Sequence, residues 1–117
     1  MPYLPGTHVI ASLTTTNQHS LDTFGDFKEL ADQLILRFEL QKLGEVYHDF
    51  QPKGFTAAIC LSESHISVHT WPEFGRISLD IYLSNYQRNN DGTVKALYQA
   101  FITFFAATIL QEQTIQR

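Results

Sequence analysis

Residues 55–73 read Phe55-Thr56-Ala57-Ala58-Ile59-Cys60-Leu61-Ser62-Glu63-Ser64-His65-Ile66-Ser67-Val68-His69-Thr70-Trp71-Pro72-Glu73. Phe55–Leu61 is a nearly continuous apolar run and suits a buried strand, with Cys60 as a small buried residue inside it. Ser62-Glu63-Ser64 is a short polar junction. His65–Trp71 then alternates, with Ile66, Val68 and Thr70 on one side and His65, Ser67, His69 and Trp71 on the other, which is the period of a strand with two unlike faces. Pro72 and Gly75 make the next turn. Two neighbouring strands with these patterns commit the chain to a sheet.

Toward the C-terminus, Arg76–Leu83 reads as a further strand and Asn89-Asn90-Asp91-Gly92 breaks it. Val94, Leu97, Tyr98, Phe101, Ile102 and Phe105 then recur at helical spacing, and Thr108–Gln116 returns as a last strand. Toward the N-terminus, Pro52-Lys53-Gly54 separates Phe55 from a strand over Glu45–Gln51. Before it, Phe27, Leu30, Ala31, Leu34, Ile35 and Phe38 form one apolar stripe, which predicts a helix from Asp26 to Leu43. Asp26 and Glu29 have capping-box spacing, and Gly44 serves as the C-terminal stop. Thr14–Ser20 reads as a polar loop, and Thr7–Leu13 as the first strand. Two helices with one stripe each cover one face of a sheet, so the economical fold is α+β, a two-layer α/β sandwich with a mainly antiparallel sheet. Its other face must meet water, a ligand or another subunit.

Composition bounds the function. The 117 residues suit a single domain, 1–117. Charged residues make up 17% and hydrophobic residues 44%, so the chain is folded over most of its length. A net charge of −4 with eight scattered Lys and Arg argues against nucleic acid, which needs a cationic cluster. The opening MPYLPGTH lacks a secretory pattern, and no apolar stretch approaches the roughly 20 residues of a membrane span. With one cysteine, Cys60, the expectation is a reducing, cytoplasmic setting away from membranes, with no disulfide framework.

Thirteen residues from Leu61 to Glu73 hold three serines, two histidines, two carboxylates and the single tryptophan. Such density belongs at a surface or in a functional site, because unpaired polar groups are costly in a core. An exposed strand edge accounts for it in the plainest terms. His65 and His69 with His48 offer a metal set, but not at a recurrent ligand spacing, and no metal is expected. A Ser64, His69, Glu73 hydrolase triad lacks the Gly-x-Ser-x-Gly elbow and is crowded along one strand.

The run Ser62-Glu63-Ser64-His65-Ile66-Ser67-Val68-His69-Thr70-Trp71-Pro72-Glu73 resembles the signature of the prokaryotic S-adenosylmethionine decarboxylase proenzymes. The likeness extends to Gly6-Thr7-His8, to His48-Asp49-Phe50-Gln51-Pro52-Lys53-Gly54 and to Asp80-Ile81-Tyr82. It implies a chain that cuts itself between Glu63 and Ser64 into a β chain of 1–63 and an α chain of 64–117. Ser64 would attack the carbonyl of Glu63 and end as an N-terminal pyruvoyl group, the cofactor that forms a Schiff base with the substrate amine. The resemblance further implies that His69 and Thr56 assist cleavage, Thr56 standing where the family usually has a serine. Phe50, Ile66 and Trp71 would line an adenosyl pocket, and Glu73 would bind the ribose hydroxyls. The implied substrate is S-adenosylmethionine, in polyamine synthesis, and the implied assembly is an αββα homodimer with sheets face to face.

One position departs from the pattern. Ser84, in Asp80-Ile81-Tyr82-Leu83-Ser84-Asn85, replaces the family's proton-donating cysteine. A thiol titrates near 8.5 and an aliphatic hydroxyl far higher, so Ser84 is the poorer acid. This leaves two further readings open: a decarboxylase of a simpler amino acid such as ornithine or arginine, and an unprocessed homologue with a binding or regulatory role.

Overall fold

The computed structural model describes residues 2–117. Its elements run β1 (Thr7–Thr14), α1 (His19–Asp22), α2 (Gly25–Arg37), β2 (Lys42–Asp49), β3 (Phe55–Leu61), β4 (Ser64–Trp71), a 3-10 turn over Pro72–Phe74, β5 (Arg76–Leu83), α3 (Asp91–Phe105) and β6 (Thr108–Gln116). One six-stranded sheet has the order β2-β3-β4-β5-β1-β6, and every pairing is antiparallel. The first strand is therefore an interior one, seated between β5 and β6.

Helices α2 and α3 lie on one face of this sheet. Phe27, Ala31, Leu34 and Ile35 of α2 and Val94, Leu97, Phe101 and Phe105 of α3 are buried there. They meet the inward residues of the strands, among them Leu13, Phe55, Ile59, Ile66, Val68, Leu79 and Ile81. Phe27 is the hinge of this layer: its ring stacks on Phe101 at 4.9 Å and Phe105 at 5.9 Å, and meets Phe55 of β3 at 5.7 Å. Burying rings of this size supplies about 1.5–3 kcal/mol each, which makes the aromatic stripe the main adhesive between layers.

The two-layer sandwich expected from the sequence is thus present, with four local corrections. The helix starting near Asp26 stops at Arg37 rather than Leu43. Glu39 takes φ 56°, Leu40 N–H donates to the Ile35 carbonyl at 2.9 Å and Glu39 N–H to that of Leu36 at 3.1 Å. This paired closure ends a helix through a left-handed residue. Leu43 and Gly44 belong to β2, so Gly44 is no helix stop. No Asp26 side-chain cap forms, since Phe24 precedes the first turn. The Thr14–Ser20 stretch is a loop only to Gln18, because His19 and Ser20 open α1.

The fourth correction concerns β3. Its residues alternate between buried Phe55, Ala57, Ile59 and Leu61 and the more accessible Thr56, Ala58 and Cys60. Cys60 is exposed, not a buried packing residue. Small side chains on the open face made the run look uniformly apolar. Among the described residues no helix covers that second face, which carries Val46, His48, Cys60, His65, His69, Trp71 and Ile10. Among the described residues no helix is long and apolar enough to cross a membrane.

Candidate functional site

The β3–β4 turn carries the first cluster. Leu61 pairs with Ser64, so Ser62 and Glu63 alone make the turn. Ser62 N–H donates to the Gln41 carbonyl at 2.9 Å, and the Glu63 carbonyl accepts Ser84 N–H at 2.7 Å. Ser64 has φ 139°, where a side chain costs about 1–3 kcal/mol unless its surroundings hold it. Strain, a fixed carbonyl and a hydroxyl nucleophile therefore meet at the Glu63–Ser64 peptide.

The Glu63 side chain is held just as firmly. Arg88 Nη2 donates to Oε1 at 2.9 Å and Nε to Oε2 at 3.2 Å, and the Asn90 amide donates to Oε2. The Arg88 guanidinium, against a smaller opposing effect of burial, keeps the Glu63 carboxyl below the usual carboxylate range. Asn90 also donates to the Ser84 carbonyl at 2.9 Å. At the same corner, a Cβ on Gly6 would stand 2.4 Å from the Leu83 carbonyl oxygen and 2.8 Å from Ser84 Cα. Glycine is what lets β1 enter beside Ser84.

At the turn, Ser64 stands in register with the core residues Leu61 and Leu83, and its Oγ lies 3.2 Å from His65 Nδ1. His65 packs edge-on to His8, and both contact Tyr82. Ligand atoms of His8, His65 and Asp80 lie within 4.8 Å of one another, the spacing of a possible metal set. Arg117 Nη1, however, is 3.2 Å from His8 Nδ1, and a guanidinium can only donate. Neutral His8 then carries its proton on Nε2, 3.8 Å from the Asp80 carboxylate. Burial, opposed by Asp80, lowers the His8 pKa. The arrangement suits a neutral, oriented imidazole better than a ligand. The His48, His65 and His69 set does not assemble, since His65 and His69 are about 13 Å apart along β4 at the rise of a strand.

The second cluster sits at the other end of the same two strands. Thr56 faces His69 across the ladder, with Oγ1 2.5 Å from Nδ1. Beside them a cleft of about 370 Å³ is lined by Phe50, Lys53, His69, Trp71, Pro72 and Glu73 among others. Phe50 and Trp71 are half-exposed, at 47% and 42%, and each ring neighbours a histidine, His48 and His69 respectively. The fold brings Phe50, Trp71, Glu73 and His69 together around this cleft. Ile66 stands apart: it is fully buried on the helix side, so its side chain does not reach the cleft. Ser84 is with the first cluster, beside a hollow of about 200 Å³ that also includes Tyr3, Asn85 and Tyr86.

Thr56 and His69 do not meet Ser64 within one chain. Five residues of extended strand separate Ser64 from His69, or about 17 Å. Sequence reasoning missed Arg88 and Asn90 because they lie in the β5–α3 loop, 25 and 27 residues beyond Glu63. The available signal was a single cation in an otherwise uncharged stretch, Asn85-Tyr86-Gln87-Arg88-Asn89-Asn90, opposite an acidic turn.

Fold and site together define a two-layer α+β domain whose open sheet face carries a strained Glu-Ser turn at one end and an aromatic cleft at the other. Residues 7–116 match the family described as S-adenosylmethionine decarboxylase, and the chain belongs to that family. It is 39% identical over 77 residues to an S-adenosylmethionine decarboxylase proenzyme of Aquifex aeolicus, a stretch covering 66% of this chain and 57% of the relative. The proenzyme of Archaeoglobus fulgidus is 36% identical over 77 residues, 66% of this chain and 69% of its own. The matched segment thus spans little more than half of the Aquifex relative. The crystal structure of the Aquifex aeolicus adenosylmethionine decarboxylase superposes with a TM-score of 0.85 at 29% identity, covering 99% of this chain and 92% of that one.

Proposed function

We propose that this chain is a self-cleaving proenzyme that becomes a pyruvoyl-dependent decarboxylase, a carboxy-lyase acting on S-adenosylmethionine. One observation carries the reading: the Glu63 carbonyl is fixed by Ser84 N–H at 2.7 Å while the adjoining Ser64 is held at φ 139°. Ser64 Oγ attacks the Glu63 carbonyl carbon, and Ser84 N–H stabilises the oxygen on which charge develops. The Glu63–Ser64 C–N bond breaks, the nitrogen takes up a proton, and Glu63 is left as an ester on Oγ. Loss of the Ser64 α-proton expels the Glu63 carboxylate, leaving a dehydroalanine at the new N-terminus. Its imine form takes up water and releases ammonia, giving the ketone.

When formed, that keto group supplies an electron sink for a primary amine losing carbon dioxide. The chain's own residues do the rest. Phe50 and Trp71 offer aromatic faces to an adenine and a sulfonium cation, and Glu73 offers acceptors to ribose hydroxyls. The hydrogen-bonded Thr56–His69 pair serves as the proton relay. Since that pair lies about 17 Å from Ser64 in its own chain, the reading needs a homodimer in which open faces meet and each chain's pair serves its partner's Ser64. Exposed Val46, Trp71, Ile10 and Ile115 support burial of that face.

Denaturing mass spectrometry tests the first step. Two fragments divided at Glu63/Ser64 are expected, while Ser64→Ala remains one chain of 13.4 kDa; an intact wild-type chain would defeat the proposal. Carbon dioxide release from carboxyl-labelled S-adenosylmethionine, and none from ornithine or arginine, is expected of the cleaved protein. The reverse pattern would move it to the simpler amino acids.

A further inference from the structure

We infer that Arg88 and Asn90 are positioning residues for the self-cleavage, acting through the Glu63 side chain; the inference rests on cleavage at Glu63/Ser64. A two-residue turn at the end of a hairpin is the most mobile part of a sheet, yet attack on its carbonyl requires a fixed approach, and misplacement by about 1 Å can cost about a hundredfold in rate. Here the turn is fastened from a loop of another part of the chain. Arg88 grips both carboxylate oxygens of Glu63, at 2.9 and 3.2 Å. Its Nη2 also donates to the Phe38 and Glu39 carbonyls at 3.2 and 3.0 Å, where α2 ends. Asn90, 1% exposed, donates to Glu63 and to the Ser84 carbonyl. Its N–H is held by Asn85 Oδ1 at 2.7 Å. The loop therefore holds both sides of the scissile site, the Glu63 side chain and the Ser84 backbone that binds the Glu63 carbonyl.

Charge gives the clamp a second effect. The Glu63 carboxylate lies on the same residue as the carbonyl oxygen that becomes negative during attack, and unopposed it would repel that charge. A bidentate guanidinium neutralises it while keeping it in place.

The test is the cleavage time course of refolded protein, followed by denaturing mass spectrometry. Arg88→Ala and Asn90→Ala are expected to cleave at least about tenfold more slowly, with Arg88→Lys recovering part of the loss. If Arg88 acts through Glu63, its removal should cost less than about twofold in a Glu63→Gln background. Each substitution is also made in the uncleavable Ser64→Ala chain, whose melting reports folding alone; if Arg88→Ala fails to melt cooperatively there, Arg88→Gln takes its place. Wild-type cleavage rates in the folded variants overturn the inference, as does an Arg88 penalty undiminished by Glu63→Gln. A wild-type chain that never cleaves overturns the parent reading and this inference with it; wild-type cleavage with unimpaired variants removes this inference alone.

Discussion

Ser84 bears on the proposed cleavage site in two different ways. Its backbone N–H holds the Glu63 carbonyl, a task any residue other than proline could perform. Its side chain stands where the family resemblance expects a thiol, and that task depends on acidity. The two can be separated. Ser84→Cys should leave cleavage at the wild-type rate and raise decarboxylation turnover by about tenfold or more, since a well-matched general acid is worth about 10² to 10⁴. The adjacent hollow of about 200 Å³ gives the sulfur room. Unchanged turnover of the cleaved variant would remove Ser84 from the proton-donor role. At this scale the motif was legible because its residues adjoin in sequence. Arg88 and Asn90 were not, because folding alone brings the β5–α3 loop to Glu63.

At the scale of the element, both long helices close with a left-handed residue that is not glycine. In α2 it is Glu39; after α3 it is Ala106, at φ 50° and ψ 46°. Ala107 N–H returns to the Ile102 carbonyl at 3.0 Å, and Ala106 N–H to that of Thr103 at 3.1 Å. A Cβ in that region costs about 1–2 kcal/mol per residue, partly offset by the greater unfolded-state freedom of glycine. Ala106→Gly should therefore stabilise the uncleavable Ser64→Ala chain by about 0.5–1 kcal/mol in urea denaturation. A loss of stability would contradict that account of the helix end. The absence of a marker glycine also explains why the apolar stripe of α2 gave its position in the sequence while its end was placed near Gly44. Strand β3 shows the converse difficulty: Ala58 and Cys60 look like core residues, and only the one-sided cover of the helices leaves them outside.

For the whole molecule, the distance between the Thr56–His69 pair and Ser64 is the fact that matters. The two-layer fold was readable from two amphipathic helices and a set of strands, and so was the need for something to meet the bare face. What could not be read was that Ser64 stands at the other end of the sheet from Thr56 and His69, only eight and five residues from it in sequence. If two copies share their sites, complementation follows. Ser64→Ala keeps the histidine, and His69→Ala keeps the nucleophile. In a mixed dimer one site then has both, so the His69→Ala chain should be cut when coexpressed with Ser64→Ala and not when expressed alone. Equal cleavage in both cases would argue for a site completed within one chain.

The interior seat of β1 changes what a cut at residue 63 means. The break divides the sequence after β3, but the sheet does not divide there. β1 belongs to the N-terminal piece and lies between β5 and β6 of the C-terminal piece, paired along its length to both, while β3 remains zipped to β4. The two pieces would be interleaved like the fingers of clasped hands, so the proposed cut would exchange one covalent bond for a free chain end and leave the strand pairings beyond Ser64 in place. Cleavage as proposed would thereby be uncoupled from the integrity of the fold: the molecule would be severed at the β3–β4 turn without a stage at which either half stands alone.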